Sequence, residues 1–226
     1  MIELSERLRM IASLVPKCNT AADVGTDHGY LAAWLLQHEV VQFMFASDIH
    51  AGPLARAKQT AQEQDLASAM EFHLCDGLQF SGAEKADAVI IAGMGGETMV
   101  SILEAAPWAW RDTALILQPQ SKHKLLYAWL REHKIPIQEA KLCTDAGKQY
   151  LAFRAGGTGN PDLSVEDLLF EAREALFPEY LYAEIQRITR ALSGMNEAAR
   201  DMENEKAELR HALDYLTHYQ KAVEAW

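Results

Sequence analysis

Apolar positions along the first 155 residues recur with two alternating periods. Leu4, Leu8, Ile11 and Val15 share one helical face, and apolar stretches at about 20–25, 41–48, 70–75, 87–92 and 113–118 have the length of strands. Segments near 30–38, 53–65, 96–105 and 122–133 separate the strands and predict helices. Ala88-Val89-Ile90-Ile91-Ala92 and Ala114-Leu115-Ile116-Leu117 are apolar throughout, as in strands of a parallel sheet covered by helices on both faces. Ile135 to Cys143 and Gln149 to Ala155 flank Thr144-Asp145-Ala146-Gly147-Lys148 and predict a closing antiparallel hairpin. The fold class is therefore α/β. A dinucleotide dehydrogenase would need a second mononucleotide half of similar form, and the chain has none.

The pattern changes after Gly156-Gly157-Thr158-Gly159-Asn160-Pro161, a helix-breaking run that divides the chain into 1–157 and 158–226. Beyond it the sequence is helical. Positions 181, 185, 188, 192, 195, 199, 202, 206, 209, 213, 216, 220 and 223 follow a 4-3 spacing, and only Lys206 and Gln220 among them are polar. A single helix of that length would leave its stripe in water, so the tail either dimerises or folds back as a coiled-coil hairpin. Its turn is expected around Gly194 to Asn204, with Gly194, Asn196 and Asn204 as breakers.

Composition fits this picture. The chain of 226 residues is 49% hydrophobic and 23% charged, enough for one α/β domain and an appendage. No basic-then-apolar leader and no membrane-length apolar run is present, so a soluble cytoplasmic protein with no membrane contact is expected. Cys18, Cys75 and Cys143 lack the spacing of a disulfide framework or a zinc site, and no metal is expected. Most of the net charge of −11 lies in the tail, where residues 161–226 carry 7 basic and 14 acidic side chains. Residues 111–154 instead hold eight basic side chains against four acidic ones, so a local basic face is compatible with an acidic protein.

The chemistry concentrates in Asp23-Val24-Gly25-Thr26-Asp27-His28-Gly29-Tyr30-Leu31, which reads as strand, tight turn and helix. Its glycines let a ligand approach the backbone, and the following helix offers unpaired N–H groups. Asp27 stands where a dinucleotide fold would place a glycine; a carboxylate there repels phosphate and welcomes a cationic ligand such as S-adenosylmethionine. Asp48 ends the second strand about 20 residues on, as a ribose-binding acid would. Asp76-Gly77-Leu78 could accept from an adenine amino group after the third strand. Ala92-Gly93-Met94-Gly95-Gly96 follows the fourth strand without the Asn/Asp-Pro-Pro element of exocyclic-amine methyltransferases. Such a bare loop suits a ring nitrogen that already presents its lone pair. Each of these residues also has a plain reading, as a turn, a cap or close packing.

Leu4-Ser5-Glu6-Arg7-Leu8, the Asp23–Leu31 turn, Asp76-Gly77-Leu78, Ile91-Ala92-Gly93-Met94-Gly95-Gly96, Leu115-Ile116-Leu117-Gln118-Pro119 and Asp145-Ala146-Gly147-Lys148-Gln149-Tyr150 together resemble the bacterial tRNA (adenine-22-N1)-methyltransferase family. The resemblance implies a Rossmann-like class I methyltransferase domain with a C-terminal coiled-coil hairpin, S-adenosyl-L-methionine as cofactor and N1 of adenine 22 in the tRNA D arm as acceptor. Asp23, Gly25, His28, Tyr30, Asp48, Ile49, Asp76, Gly77, Gly93, Met94 and Gly95 would then bind the cofactor, and Asp27 would be catalytic. Gln118, Pro119, Arg7 and Lys148 would meet the tRNA, with the enzyme a monomer or weak dimer. The sequence departs from the family pattern at Cys75, Asp48, Ala146 and Leu151. Apart from the resemblance, the residues leave open a methyltransferase for another RNA or a small molecule, and a non-catalytic RNA-binding protein of the same fold.

Overall fold

The computed structural model describes residues 2–197 and 203–226. The chain divides into two compact units, Met1–Val165 and Glu166–Trp226, a boundary just beyond the Gly156–Pro161 run.

The first unit follows the predicted alternation: α1 (Glu6–Ala12), β1 (Cys18–Val24), α2 (Tyr30–Gln37), β2 (Val41–Asp48), α3 (Ala51–Glu63), β3 (Met70–Leu74), β4 (Ala88–Gly95), α4 (Gly96–Ala105), α5 (Trp108–Arg111), β5 (Ala114–Ser121), α6 (His123–Glu132), β6 (Ile137–Asp145) and β7 (Lys148–Ala155). The seven strands form one sheet in the order β3-β2-β1-β4-β5-β7-β6. Strands β1 to β5 run parallel, whereas β7 is antiparallel to both β5 and β6. The strand order reverses between β1 and β4, and the crevice beyond the carboxyl ends of those two strands is where open α/β sheets bind ligands. Ala88, Val89, Ile90 and Ile91 of β4 are fully buried, in keeping with their two-sided apolar pattern. Ile11, Leu14, Leu31 and Leu35 cover one face of the sheet together with Met44 and Ile116.

Three local features differ from the sequence reading. The carboxyl ends of β4 and β5 extend to Gly95 and Ser121, because Met94 and Pro119 stay paired across an irregular register that carries no apolar period. Helix α3 begins at Ala51, two residues before the expected start near 53, so Gly52-Pro53 lies within its first turn, where proline's missing N–H leaves no bond unmade. The short helix α5 is too brief to show a period.

The second unit contains α7 (Val165–Glu171) apart from its first residue, α8 (Phe177–Glu197) and α9 (Glu203–Val223). Helices α8 and α9 pack on each other, and no described position of the 4-3 seam is exposed; Leu181, Ile188 and Leu216 are buried. Phe177 gathers Tyr180, Tyr219 and Trp226 around it. Tyr219 donates to Asp167, and Tyr180 donates to the half-buried Glu166 carboxylate at 3.3 Å. Residues 198–202, the centre of the expected turn, lie outside the described residues; Gly194 and Asn196 fall within α8 and Asn204 within α9. No described helix is long and apolar enough to cross a membrane.

Candidate active site

The turn leaving β1 is pinned to β2. The N–H groups of Gly25 and Thr26 both donate to the Ser47 carbonyl, at 2.8 and 3.1 Å. Gly25 has φ 71°, a conformation that favours glycine, and a Cβ there would stand 2.4 Å from Met94 Cε, so any other residue would be strained in its backbone and would push the methionine tip aside. Asp23 is 5% exposed and accepts from Thr26 Oγ1 at 2.7 Å. Burial, joined by repulsion from Asp48, raises its carboxyl to about 6 despite that hydrogen bond.

Asp27 does not cap the following helix, since Gly29 is the N-cap of α2 and no side chain caps it. With φ 50°, Asp27 turns its exposed carboxylate toward α3, accepting from Arg56 Nη2 at 3.0 Å with His28 Nε2 3.8 Å away. His28 in turn stacks on Tyr30 at 5.3 Å. Arg7, Asp23, Gly25, Asp27, His28 and Ala92 line one open cleft.

The ends of β2 and β3 are tied together beside this cleft. Asp48 Oδ1 accepts from the His50 N–H at 2.8 Å, its carbonyl accepts from the Cys75 N–H, and Ser47 Oγ donates to the Gly77 carbonyl at 2.8 Å. Asp48 is 9% exposed, whereas the neighbouring Ile49 is 59% exposed, an apolar surface beside that carboxylate.

A chain of contacts links the terminal hairpin to the loop after β4. Asp145 accepts from the Arg7 N–H at 3.1 Å, and this bond with that of the Ser5 hydroxyl holds its carboxyl below the usual range. Arg7 lies over the Tyr150 ring and donates to Gln118 Oε1 at 3.1 Å. The same oxygen accepts from the Gly93 N–H at 3.1 Å, while Gln118 Nε2 donates to the Pro119 carbonyl. Gln118 and Pro119 are both buried, so they support the loop from below, and the exposed side chain at the rim is Gln120. Lys148 lies opposite Asp145 at the exposed end of the hairpin.

Sequence reasoning missed Arg56, Ser47, Tyr150 and Gln120. Arg56 sits on an amphipathic helix where any solvated cation would look alike. The expected basic face is partly neutralised, since Lys122 pairs with Glu97 and both Lys141 and Arg154 pair with Glu139.

The geometry suits a ligand that is cationic at one end and carries a ribose at the other. Two nearly buried carboxylates, Asp23 and Asp48, end adjacent strands, and the α-carbons of Gly25 and Gly93 are bare beside them. The raised carboxyl of Asp23 marks a charge that its protein neighbours do not compensate, and a sulfonium or ammonium group would do so. These residues fit S-adenosylmethionine.

Fold and site together define a methyltransferase, and residues 4–153 match the family model described as a methyltransferase domain. The chain is 27% identical to the tRNA (adenine(22)-N(1))-methyltransferase of Bacillus subtilis over 99% of its own length and 98% of that protein. The crystal structure of the B. subtilis m1A22 tRNA methyltransferase TrmK superposes with a TM-score of 0.84 at 27% identity, covering 97% of this chain and 100% of that one. A candidate tRNA (m1A22) methyltransferase of Streptococcus pneumoniae, solved in complex with S-adenosyl-L-methionine, gives 0.81 at 25% identity over 96% and 100% of the two chains. The chain belongs to the family that carries this methyltransferase domain.

Proposed function

We propose that this protein methylates N1 of adenine 22 in the D arm of tRNA, with S-adenosylmethionine as the methyl donor. The observation that carries this reading is the position of Asp27, an acid on the wall of the cleft that Gly25 and Ala92 also line, at the carboxyl ends of β1 and β4. When bound, S-adenosylmethionine supplies an electrophilic methyl on sulfur. Asp23, Gly25, His28 and Tyr30 would hold its methionine part, Asp48 and Ile49 its ribose and ring, and Asp76-Gly77 its adenine edge. Gly93, Met94 and Gly95 would leave room at the methyl.

Asp27 accepts a hydrogen from the amino group of the target adenine, which turns N1 and its lone pair toward the glycine loop. Its negative charge then stabilises the cation that the ring becomes once N1 is methylated. No proton has to leave N1, so the site needs an orienting acid and no strong base. Arg7, held by Asp145 and Gln118, and Lys148 offer cations to the tRNA backbone on the hairpin side of the cleft. The helical segment 158–226 assists by shape and a few phosphate contacts. The described positions of the seam between α8 and α9 are partly or wholly buried within one chain, which supports a monomer or weak dimer. The substrate places the reaction in the cytoplasm. Bulk tRNA from cells lacking this protein should have lost N1-methyladenosine at position 22; unchanged N1-methyladenosine there would overturn the reading.

A further inference from the structure

The glycine-rich end of β4 has an exposed amide close beside it. Gln120 lies two residues after Gln118 on β5, where the pairing with β4 is irregular, and it is exposed where Gln118 is buried. Its Nε2 stands 3.6 Å from where a Cβ on Gly93 would be, level with Arg7 Nη1 at the same distance. The bare α-carbon of Gly93, at φ 76°, is thus overhung by an amide whose donor and acceptor make no hydrogen bond among the described residues. A glutamine amide is the group that pairs with the N6 and N7 positions of adenine through two hydrogen bonds.

We infer that Gln120 selects adenine by its Hoogsteen edge, with Oε1 accepting from the amino group and Nε2 donating to N7. This rests on the reading that N1 of an adenine is the acceptor. The amino group carries two hydrogens. Asp27 takes the one beside N1 and Gln120 the one beside N7, so the ring is held from both flanks with N1 left free between them. Guanine presents an oxygen where adenine has the amino group, so neither Oε1 nor Asp27 would find a donor there. Gln118 is a positioning residue in this arrangement, because it fixes the Gly93 N–H and the guanidinium of Arg7 from beneath.

The test uses full-length enzyme and two tRNAs assembled by ligation, one with adenosine and one with 7-deazaadenosine at position 22. Single-turnover methylation is followed by mass spectrometry. Wild-type enzyme should lose about tenfold in rate on 7-deazaadenosine, the value of one bond of such a pair. Gln120→Ala should methylate the adenosine tRNA more slowly than wild type, and its 7-deazaadenosine-to-adenosine rate ratio should exceed the wild-type ratio by about tenfold. Gln120→Glu, whose carboxylate meets the N7 lone pair, should prefer 7-deazaadenosine. An equal penalty in wild type and Gln120→Ala would overturn the proposal, since comparing the ratios removes any change in N1 basicity. Loss of S-adenosylmethionine affinity in Gln120→Ala would also overturn it, by assigning the residue to the cofactor. Absence of methylation of the adenosine tRNA by wild type would overturn the reading of function itself, and the proposal with it.

Discussion

Asp23→Asn should make the protein more stable above about pH 6 and a poorer binder of the cofactor. Asp23 is 5% exposed, and burial beside Asp48 raises its carboxyl from the ordinary 3.8 to about 6. An acid that holds its proton more tightly in the folded chain than in the unfolded chain weakens the fold as pH rises between those two values. The penalty is absent below about pH 4, reaches about 3 kcal/mol near pH 6 and stays level above it, because each pKa unit corresponds to about 1.4 kcal/mol. Asparagine keeps an oxygen for the Thr26 hydroxyl and carries no charge, so it escapes the penalty. Denaturant melts without cofactor should therefore coincide for wild type and variant near pH 4. They should separate by about 3 kcal/mol at neutral pH, roughly 6–12 °C in Tm. Calorimetric titration with S-adenosylmethionine should show wild-type affinity rising with pH up to about 6 and then levelling, with the variant weaker and flat. Parallel melts across this range would refute the claim that an uncompensated charge sits at Asp23.

Three further substitutions test separate links. Asp27→Ala should lower kcat by about a hundredfold or more in a tRNA methylation assay while changing cofactor affinity little; lost cofactor binding alone would make Asp27 a cofactor ligand. Gly96→Ala places a Cβ 2.5 Å from the Lys122 carbonyl, a backbone clash that should cost about 1–3 kcal/mol in chemical denaturation. Ala146→Gly should raise stability by about 0.5–1 kcal/mol in the same assay, because Ala146 is held at φ 49° in the hairpin turn.

The sheet was legible because apolar runs bounded by polar breaks are imposed by burial on both faces, and Ala88–Ile91 are indeed fully buried. The glycines at strand ends were legible because tight turns restrict which residue types fit, and Gly25 and Gly93 do have positive φ, 71° and 76°. Pairings between distant elements were not. Asp145 reads in sequence as a turn residue, and only the fold brings it to the N–H of Arg7, 138 positions away. Gln118 looks like a rim residue because it sits beside a proline at a strand end, yet it is buried and acts on Gly93. Arg56 shares a period with ordinary solvated cations, and nothing local ties it to Asp27.

Transfer of labelled methyl groups from S-adenosylmethionine to a defined tRNA, followed by nuclease mapping, tests the central claim most directly. The label should appear as N1-methyladenosine at position 22 and disappear when that adenosine is replaced by guanosine. Label at another nucleotide, or label that survives the replacement, would contradict it.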